Sequence, residues 1–188
     1  MRLSSTPNLY KAALELLNTD TEAPVYITNC GVVLAMPHDR NYSYGWHKDT
    51  YYTLPYSNYI QLWAPLIEDA TDSLGTLQVV RKSHLAGAGD QHAVNGVPNR
   101  HRYRVNAETL ENLQIDTIEV GLGQALLFHS GLAHRSGVNK ETRARFSLVS
   151  VYHQLENHKI RPILYTGSYK GISMDEYFSE NCGDYRNP

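Results

Sequence analysis

The 188-residue chain lacks the features that mark secreted and membrane proteins. Its two cysteines, Cys30 and Cys182, are too few for a disulfide framework, and the apolar surroundings of Cys30 predict a buried free thiol. The apolar runs are too short to span a bilayer, and the first residues lack the apolar region of a signal peptide. We therefore predict a reduced, cytoplasmic protein that has no membrane partner.

An excess of charge of either sign is also lacking. Seventeen basic residues face 19 acidic ones, which gives a net charge of −2 and predicts no general attraction to nucleic acid. Glycine and proline are scattered, and no internal repeat is visible. At this length we predict one domain, residues 1–188, with a sizeable core, while the oligomeric state stays open.

Strand patterns dominate what is present. An amphipathic helix is predicted over 7–18, with Leu9, Ala13, Leu16 and Leu17 near one stripe. Further short helices are predicted only at 106–113 and 173–180. Short runs rich in β-branched and aromatic residues predict strands at about 24–28, 30–36, 43–50, 58–66, 75–80, 114–120, 124–129, 144–154 and 161–165. Many short strands with few helices favour a β-sandwich or barrel.

The tripeptide His47-Lys48-Asp49 is the first candidate site. Its neighbours predict a strand, in which His47 and Asp49 point to the same face. With a second histidine, these two side chains make the facial triad of non-haem Fe(II) oxygenases. His134 is the favoured second histidine and His129 is its rival, because His129 ends an apolar run and can bond a backbone carbonyl instead.

An arginine beyond the second histidine can clamp a carboxylate through two hydrogen bonds. Arg145 leads directly into an apolar strand, where a buried charge needs a partner. Arg143 has the same strand parity and is the alternative anchor. If neither arginine binds a ligand, the segment is an ordinary hairpin with exposed arginines. Ser136 has the same strand parity as His134, so we predict that both side chains lie on the same face of the strand. Asn139 is typical of a turn position.

Three ordered blocks within about residues 43–153 resemble the phytanoyl-CoA dioxygenase family of Fe(II)/2-oxoglutarate oxygenases. The first is His47-x-Asp49. The second is a tryptophan strand around Trp63, followed by a Gly-x-Leu…Ser-His segment. In the third, a hydroxyl residue, an asparagine and an arginine lie two, five and eleven positions after the distal histidine. Those positions are occupied here by Ser136, Asn139 and Arg145, which fits His134 and not His129.

The resemblance implies a mainly β fold, a cupin-like double-stranded β-helix or jelly roll with a few short helices. It implies Fe(II), 2-oxoglutarate as cosubstrate and O2, with the metal bound by the catalytic residues His47, Asp49 and His134. Arg145 and Ser136 are implied to hold the C5 carboxylate of 2-oxoglutarate. Trp63 is implied to lie near the metal, although a tryptophan in this apolar strand is as easily a core residue.

Hydroxylation is the reaction that the resemblance favours, since halogenating relatives replace the carboxylate that Asp49 retains. Two alternatives stay open: a cupin-like metal-dependent isomerase or hydrolase, and a non-catalytic metal-binding jelly-roll domain. Family members generally carry a longer N-terminal portion, so we expect part of the substrate wall to be absent. Thr28 and Asn29 lie where the family has a polar residue that helps to hold 2-oxoglutarate, but no motif selects either.

The segment 84–104 has no clear period, and long irregular segments in compact domains often act as lids. Arg100, Arg102 and Arg104 share strand parity and would together favour a small, polar or anionic substrate. A solvated edge strand protected by charge explains the same pattern equally well.

Overall fold

The computed structural model describes residues 3–17, 25–39, 45–49, 59–86, 91–93, 103–105, 110, 113–154, 168–169 and 172–173. In these ranges the protein is mainly β, with one α-helix, α1 (Pro7–Leu17), and a 3-10 turn at Ser83–Ala86. The strands are β1 (Val25–Ala35), β2 (Tyr59–Pro65), β3 (Leu77–Val80), β4 (Gln91–Ala93), β5 (Tyr103–Val105), β6 (Ile115–Ile118), β7 (Leu126–His129), β8 (His134–Ser136), β9 (Arg145–Gln154), β10 (Ser168–Tyr169) and β11 (Ile172–Ser173). Over the same residues, no helix has the length and apolar character needed to cross a membrane.

Two antiparallel sheets face each other. One has the order β1-β9-β2-β7, and the other has the order β6-β3-β8. Neighbours in each sheet are distant in the sequence, as in a jelly roll, which confirms the predicted double-stranded β-helix. Two further pairs, β4-β5 and β10-β11, stand apart from these sheets in the described residues.

Helix α1 covers the outer face of the four-stranded sheet. Leu9, Ala13 and Leu17 are spaced four residues apart, so they form one apolar stripe, and the last two are buried. They pack against Ile60 and Leu62 of the sheet, together with Leu148 and Tyr152. The predicted helix over 7–18 is thus present, but Leu16 lies off the buried stripe and is exposed.

The opposite face of the same sheet looks toward the three-stranded sheet. Trp63 and Phe128 from the first sheet pack there with Leu77 and Val120. Because side chains alternate along a strand, Gln61 and Trp63 point into this inner layer while Leu62 points to α1. The predicted site lies in this layer between the sheets.

Strand β1 corrects two expectations. The strands predicted at 24–28 and 30–36 form one strand whose pairing to β9 shifts register between Thr28 and Gly31. Cys30, beside this irregularity, is exposed, so the prediction of a buried thiol is wrong. In the described residues β1 is the last strand of its sheet, so a neighbouring strand lies on one side only and covers its side chains less. The Cys30 sulfur lies 3.3 Å from the hydroxyl of Ser4.

Other segments also differ from the prediction. In place of a strand over 43–50, the described residues 45–49 carry one isolated bridge at His47. The segment 84–104, predicted to be irregular, contributes β4, and its last two residues begin β5, which pairs with β4. Residues Arg100 and Arg102, the side chain of Arg104 and the predicted strand at 161–165 lie outside the described residues. So do most of the two additional helices predicted at 106–113 and 173–180.

Candidate metal and carboxylate site

Backbone hydrogen bonds bring the first histidine segment to the second. The N–H of His47 donates to the carbonyl of His134 at 3.1 Å, and the N–H of His134 donates back at 3.0 Å. Two residues further on, the N–H of Asp49 donates to the carbonyl of Ser130 at 3.2 Å. The side chains of His47 and Asp49 therefore point in the same direction because the backbone of both residues is hydrogen-bonded to 130–134. They do not do so by alternation along a regular strand.

The side chains of His47, Asp49 and His134 converge between the sheets. Asp49 Oδ1 lies 3.6 Å from His47 Nε2, and Asp49 Oδ2 lies 3.4 Å from His134 Nε2. The potential ligand atoms all lie within 4.8 Å of one another, and both histidines are buried. Neighbouring ligands on an octahedral ion with bonds of about 2.1 Å are about 3 Å apart, so the cluster needs little adjustment to hold one.

Each histidine is oriented by its Nδ1 atom. His47 Nδ1 lies 2.7 Å from the carbonyl of Gly45, and His134 Nδ1 lies 2.9 Å from the carbonyl of Leu132. A carbonyl only accepts hydrogen bonds, so in each neutral ring the proton is on Nδ1 and the lone pair is on Nε2. This is the tautomer that a metal-binding histidine needs, and backbone carbonyls commonly fix it in known sites.

Gln61 of β2 orients the carboxylate. Its side-chain amide donates a hydrogen bond to Asp49 Oδ2, so one oxygen of the carboxylate is held from the neighbouring sheet. Gln61 has the same strand parity as Trp63 and so lies on the inner face, but no local pattern in the sequence indicates its contact with Asp49. A partner of this kind fixes the direction in which a metal-binding carboxylate points.

His129, the rival of His134, lies outside the cluster. Its Nδ1 accepts a hydrogen bond from the Gly131 N–H at 2.9 Å, and its ring lies 5.6 Å from that of His84. Burial, with the nearby charge of His84, lowers the pKa of His129. Its role is local, because it closes the turn that follows β7.

Arg145 begins β9 and is buried in the same inner layer. Its guanidinium donates to the carbonyl of Gly75 and, at 3.4 Å, to the hydroxyl of Ser136. Its Cζ atom lies 5.0 Å from the centre of the Trp63 ring. Burial lowers the pKa of Arg145 to about 10, so the side chain is still a cation at neutral pH. In the described part of the chain no carboxylate pairs with it.

Arg143 is different in every respect. It is 53% exposed and pairs with Glu68 at 2.7 Å and with Glu141 at 3.2 Å. Its charge is therefore matched at the surface. Of the two predicted arginines, only Arg145 brings an unmatched cation into the layer that contains His47, Asp49 and His134.

The turn between β8 and β9 is tied to its surroundings by Asn139. Its side-chain amide donates to the carbonyl of Ala35 at 2.9 Å and to that of Arg143 at 2.7 Å, and its Oδ1 accepts from the Glu141 N–H. The predicted turn residue thus joins the hairpin to the end of β1. It fixes the point from which Arg145 enters the core.

These groups fit an Fe(II) ion and a 2-oxoglutarate molecule. Two imidazoles and one carboxylate suit a divalent ion, and the buried cation of Arg145 suits an anionic tail in the same layer. The side chains of Thr28 and Asn29 lie outside the described residues. Fold and cluster together define the class as a cupin-like jelly roll with a candidate metal centre.

Comparison with known proteins gives the family. Residues 12–147 match the phytanoyl-CoA dioxygenase family, and the chain belongs to it, which confirms the resemblance. Members of this family depend on Fe(II), 2-oxoglutarate and O2. The chain is also 27% identical over 186 residues to the L-proline trans-4-hydroxylase of Streptomyces griseoviridis. That alignment covers 86% of this chain and 66% of the hydroxylase.

Solved structures share the fold. EvdO2 from Micromonospora carbonacea var. aurantiaca, complexed with 2-oxoglutarate, superposes with a TM-score of 0.65 at 16% identity, over 90% of this chain and 66% of EvdO2. The epimerase SnoN, in complex with Fe3+, alpha ketoglutarate and nogalamycin RO, gives a TM-score of 0.62 at 17% identity, over 81% of this chain and 57% of SnoN. The chain thus spans just under two thirds of the length of the hydroxylase and of EvdO2.

Proposed function

We propose that the protein is an Fe(II)/2-oxoglutarate-dependent dioxygenase that hydroxylates a small, polar or anionic molecule. One observation carries the proposal: two histidines with fixed tautomers, a carboxylate and a buried unmatched arginine share one layer between the sheets. A metal isomerase or hydrolase uses such ligands as well, but it has no need of a buried cation beside them. We also propose that residues 1–188 form one domain and that the protein is cytoplasmic.

The proposed roles follow from the contacts. Both histidines, His47 and His134, bind the ion through Nε2, and Asp49 binds it through one carboxylate oxygen. Gln61 keeps Asp49 in its orientation. Arg145 binds the C5 carboxylate of 2-oxoglutarate, with Ser136 beside it and Trp63 flanking the guanidinium. Together, bound iron and 2-oxoglutarate supply O2 activation, coupled to decarboxylation of the cosubstrate to succinate and CO2. The apolar neighbours Phe128 and Leu77 exclude water from this layer.

The substrate class has support of its own. The relative with 27% identity is named as a hydroxylase of L-proline, a small zwitterion, and this agrees with the polar or anionic molecule predicted from the sequence. Free amino acids and small carboxylic acids are therefore the first substrates to screen. SnoN shares the fold and is an epimerase, so products have to be analysed for inverted stereocentres as well as for added oxygen.

The decisive experiment is anaerobic titration of the protein with Fe(II) and then 2-oxoglutarate. We expect the weak visible charge-transfer band of the chelate, and calorimetry with Mn(II) in place of iron should show 2-oxoglutarate binding only after the metal. His134→Ala should abolish metal binding, whereas His129→Ala should retain it, because His129 lies outside the cluster. Absence of 2-oxoglutarate binding by the metal-loaded protein would contradict the proposal and favour the isomerase or hydrolase.

A further inference from the structure

A row of four side chains crosses the outer face of the three-stranded sheet, the face turned away from the inner layer. The side-chain amide of Gln78 on β3 donates to the hydroxyl of Thr117 on β6 at 3.3 Å. The oxygen of the same amide accepts from Nε of Arg135 on β8 at 2.8 Å. The guanidinium of Arg135 lies over the ring of Trp46, with 4.5 Å between its Cζ atom and the ring centre. The row therefore ends on the residue that precedes His47.

Arg135 and Trp46 lie directly behind the two histidines of the candidate metal site. His134 and Arg135 are consecutive on β8, so when His134 points into the inner layer, Arg135 points out of it. The backbone pairing of His47 with His134 places Trp46 opposite Arg135. The same two segments are thus joined by two neighbouring pairs, one on the metal side and one behind it.

The conformation at Trp46 decides how the ring of His47 is held. His47 Nδ1 lies 2.7 Å from the carbonyl of Gly45, the residue on the other side of Trp46. A change at Trp46 would therefore move both the ring and the carbonyl that orients it. The Trp46 carbonyl accepts from the Val105 N–H at 2.9 Å, and the side chain is covered on one face by Arg135.

Arg135 is suited to this contact. It is half-buried, and in the described part of the chain no carboxylate pairs with it. A guanidinium is planar and weakly hydrated, so it stacks on an indole ring, and partial removal from water strengthens the attraction. Arg81, which follows β3 in the same sheet, differs because it pairs with Asp116 at 2.9 Å.

We propose that Arg135 and Trp46 are positioning residues for the metal ligand His47. The stacked guanidinium holds the ring of Trp46, and this fixes the Gly45 carbonyl that orients the imidazole. The inference rests on the proposed function, because it takes His47 to bind the metal. The competing explanation is packing alone, in which Arg135 only covers the apolar cluster that Trp46 shares with Val80.

The direction of the change in metal affinity separates the two explanations. A nearby guanidinium repels a divalent cation, so removal of its charge alone would strengthen metal binding, whereas loss of positioning would weaken it. In calorimetry of the complete protein, Arg135→Met should bind Mn(II) about fivefold to tenfold more weakly than the wild type, since the effect is transmitted through a second residue. Arg81→Met is the matched control and should bind Mn(II) like the wild type, because Arg81 pairs with Asp116.

A double-mutant cycle tests whether Arg135 acts through Trp46. Trp46→Leu removes the aromatic face, so Arg135→Met should not weaken Mn(II) binding further in that background. The visible spectrum of the Co(II)-loaded protein reports the arrangement of the ligands, and Arg135→Met should change it at saturating metal. If Trp46→Leu does not fold, the affinity and the spectrum of Arg135→Met decide the question by themselves.

Three results would overturn the positioning role and leave the proposed function standing. They are equal or tighter Mn(II) binding by Arg135→Met, an unchanged Co(II) spectrum, and additive losses of affinity in the double variant. If the wild type bound no Mn(II), the proposed function would fail, and this inference with it.

Discussion

Gly75 and Gly137 touch at the backbone: a Cβ atom on Gly137 would lie 3.2 Å from the Cα of Gly75. Gly75 also has a φ of +71°, a conformation that glycine adopts without strain. This contact brings the carbonyl of Gly75 to the guanidinium of Arg145. Two residues without side chains thus make room for the charged group of the candidate site.

Gly75→Ala should be strongly destabilising. Its Cβ would meet the carbonyl oxygen of Gly137 at 2.6 Å, and we expect a loss of about 1–3 kcal/mol from overpacking in addition to about 1 kcal/mol from the left-handed backbone. Gly123→Ala is the matched control, because Gly123 has a φ of +87° but open space around it. Urea unfolding should give a much lower free energy of unfolding for Gly75→Ala than for Gly123→Ala. Equal losses of unfolding free energy would show that the backbone conformation alone matters.

Arg145→Ala should weaken 2-oxoglutarate binding about tenfold to hundredfold, the value of a charge-assisted contact of about 1.5–3 kcal/mol, with little change in metal affinity. Arg143→Ala should leave cosubstrate affinity unchanged, because Arg143 pairs with Glu68 at the surface. Calorimetry on the Mn(II)-loaded variants measures both affinities. The reverse ranking would move the role of carboxylate anchor to Arg143.

Gln61→Met should lower metal affinity about tenfold to hundredfold, since the variant keeps the length of the side chain and removes the donor that orients Asp49. Gln114→Met provides the control, because Gln114 is exposed and its side-chain amide donates to Asp116 at the surface, away from the metal ligands. Competition with a chelator of known affinity gives the metal dissociation constants. A Gln61→Met protein that bound metal like the wild type would mean that Asp49 needs no such support.

The unfolding free energy of the metal-free protein should fall as the pH is lowered from 7.5 to 5.5. Burial, with the charge of His84, holds the pKa of His129 below the 6.5 expected in the unfolded chain, so acid favours the unfolded state. The contribution of His129 to the unfolding free energy is fully present above pH 6.5 and is lost as the pH falls through the pKa of His129 in the folded protein. His129→Asn, which keeps an acceptor for the Gly131 N–H, should flatten the pH profile. An unchanged slope would assign the effect to other groups, of which His153 is the first candidate, because burial lowers its pKa too.

Much of the site could be predicted because it depends on order and spacing along the chain. His134, Ser136, Asn139 and Arg145 lie on β8, on the turn after it and on β9. These elements follow one another directly, so the spacing of the residues in the sequence is enough to predict that they lie close together. The choice of Arg145 over Arg143 also depends on a local property, the apolar strand that Arg145 enters. The family and the jelly roll follow from the same ordered blocks.

The remaining features depend on contacts between distant segments. Asp49 was predicted to face His134 through strand alternation, but its position is set by a bond to Ser130, about 80 residues away. Cys30 looked buried because its neighbours are apolar, whereas its exposure is decided by the place of β1 at the end of a sheet. The contact of Gln61 with Asp49 likewise joins two segments that no local pattern relates.

The bridge between His47 and His134 has a consequence for the folding of the chain. The two residues are 87 positions apart in the sequence, and few backbone bonds hold the segment 45–49 to 130–134. An ion bound by both histidines acts as a reversible crosslink across a long loop, whose closure the unfolded chain opposes through its entropy. Metal loading should therefore protect this protein from proteases and slow its unfolding, so the candidate metal site is expected to hold the fold together in addition to its proposed role in chemistry.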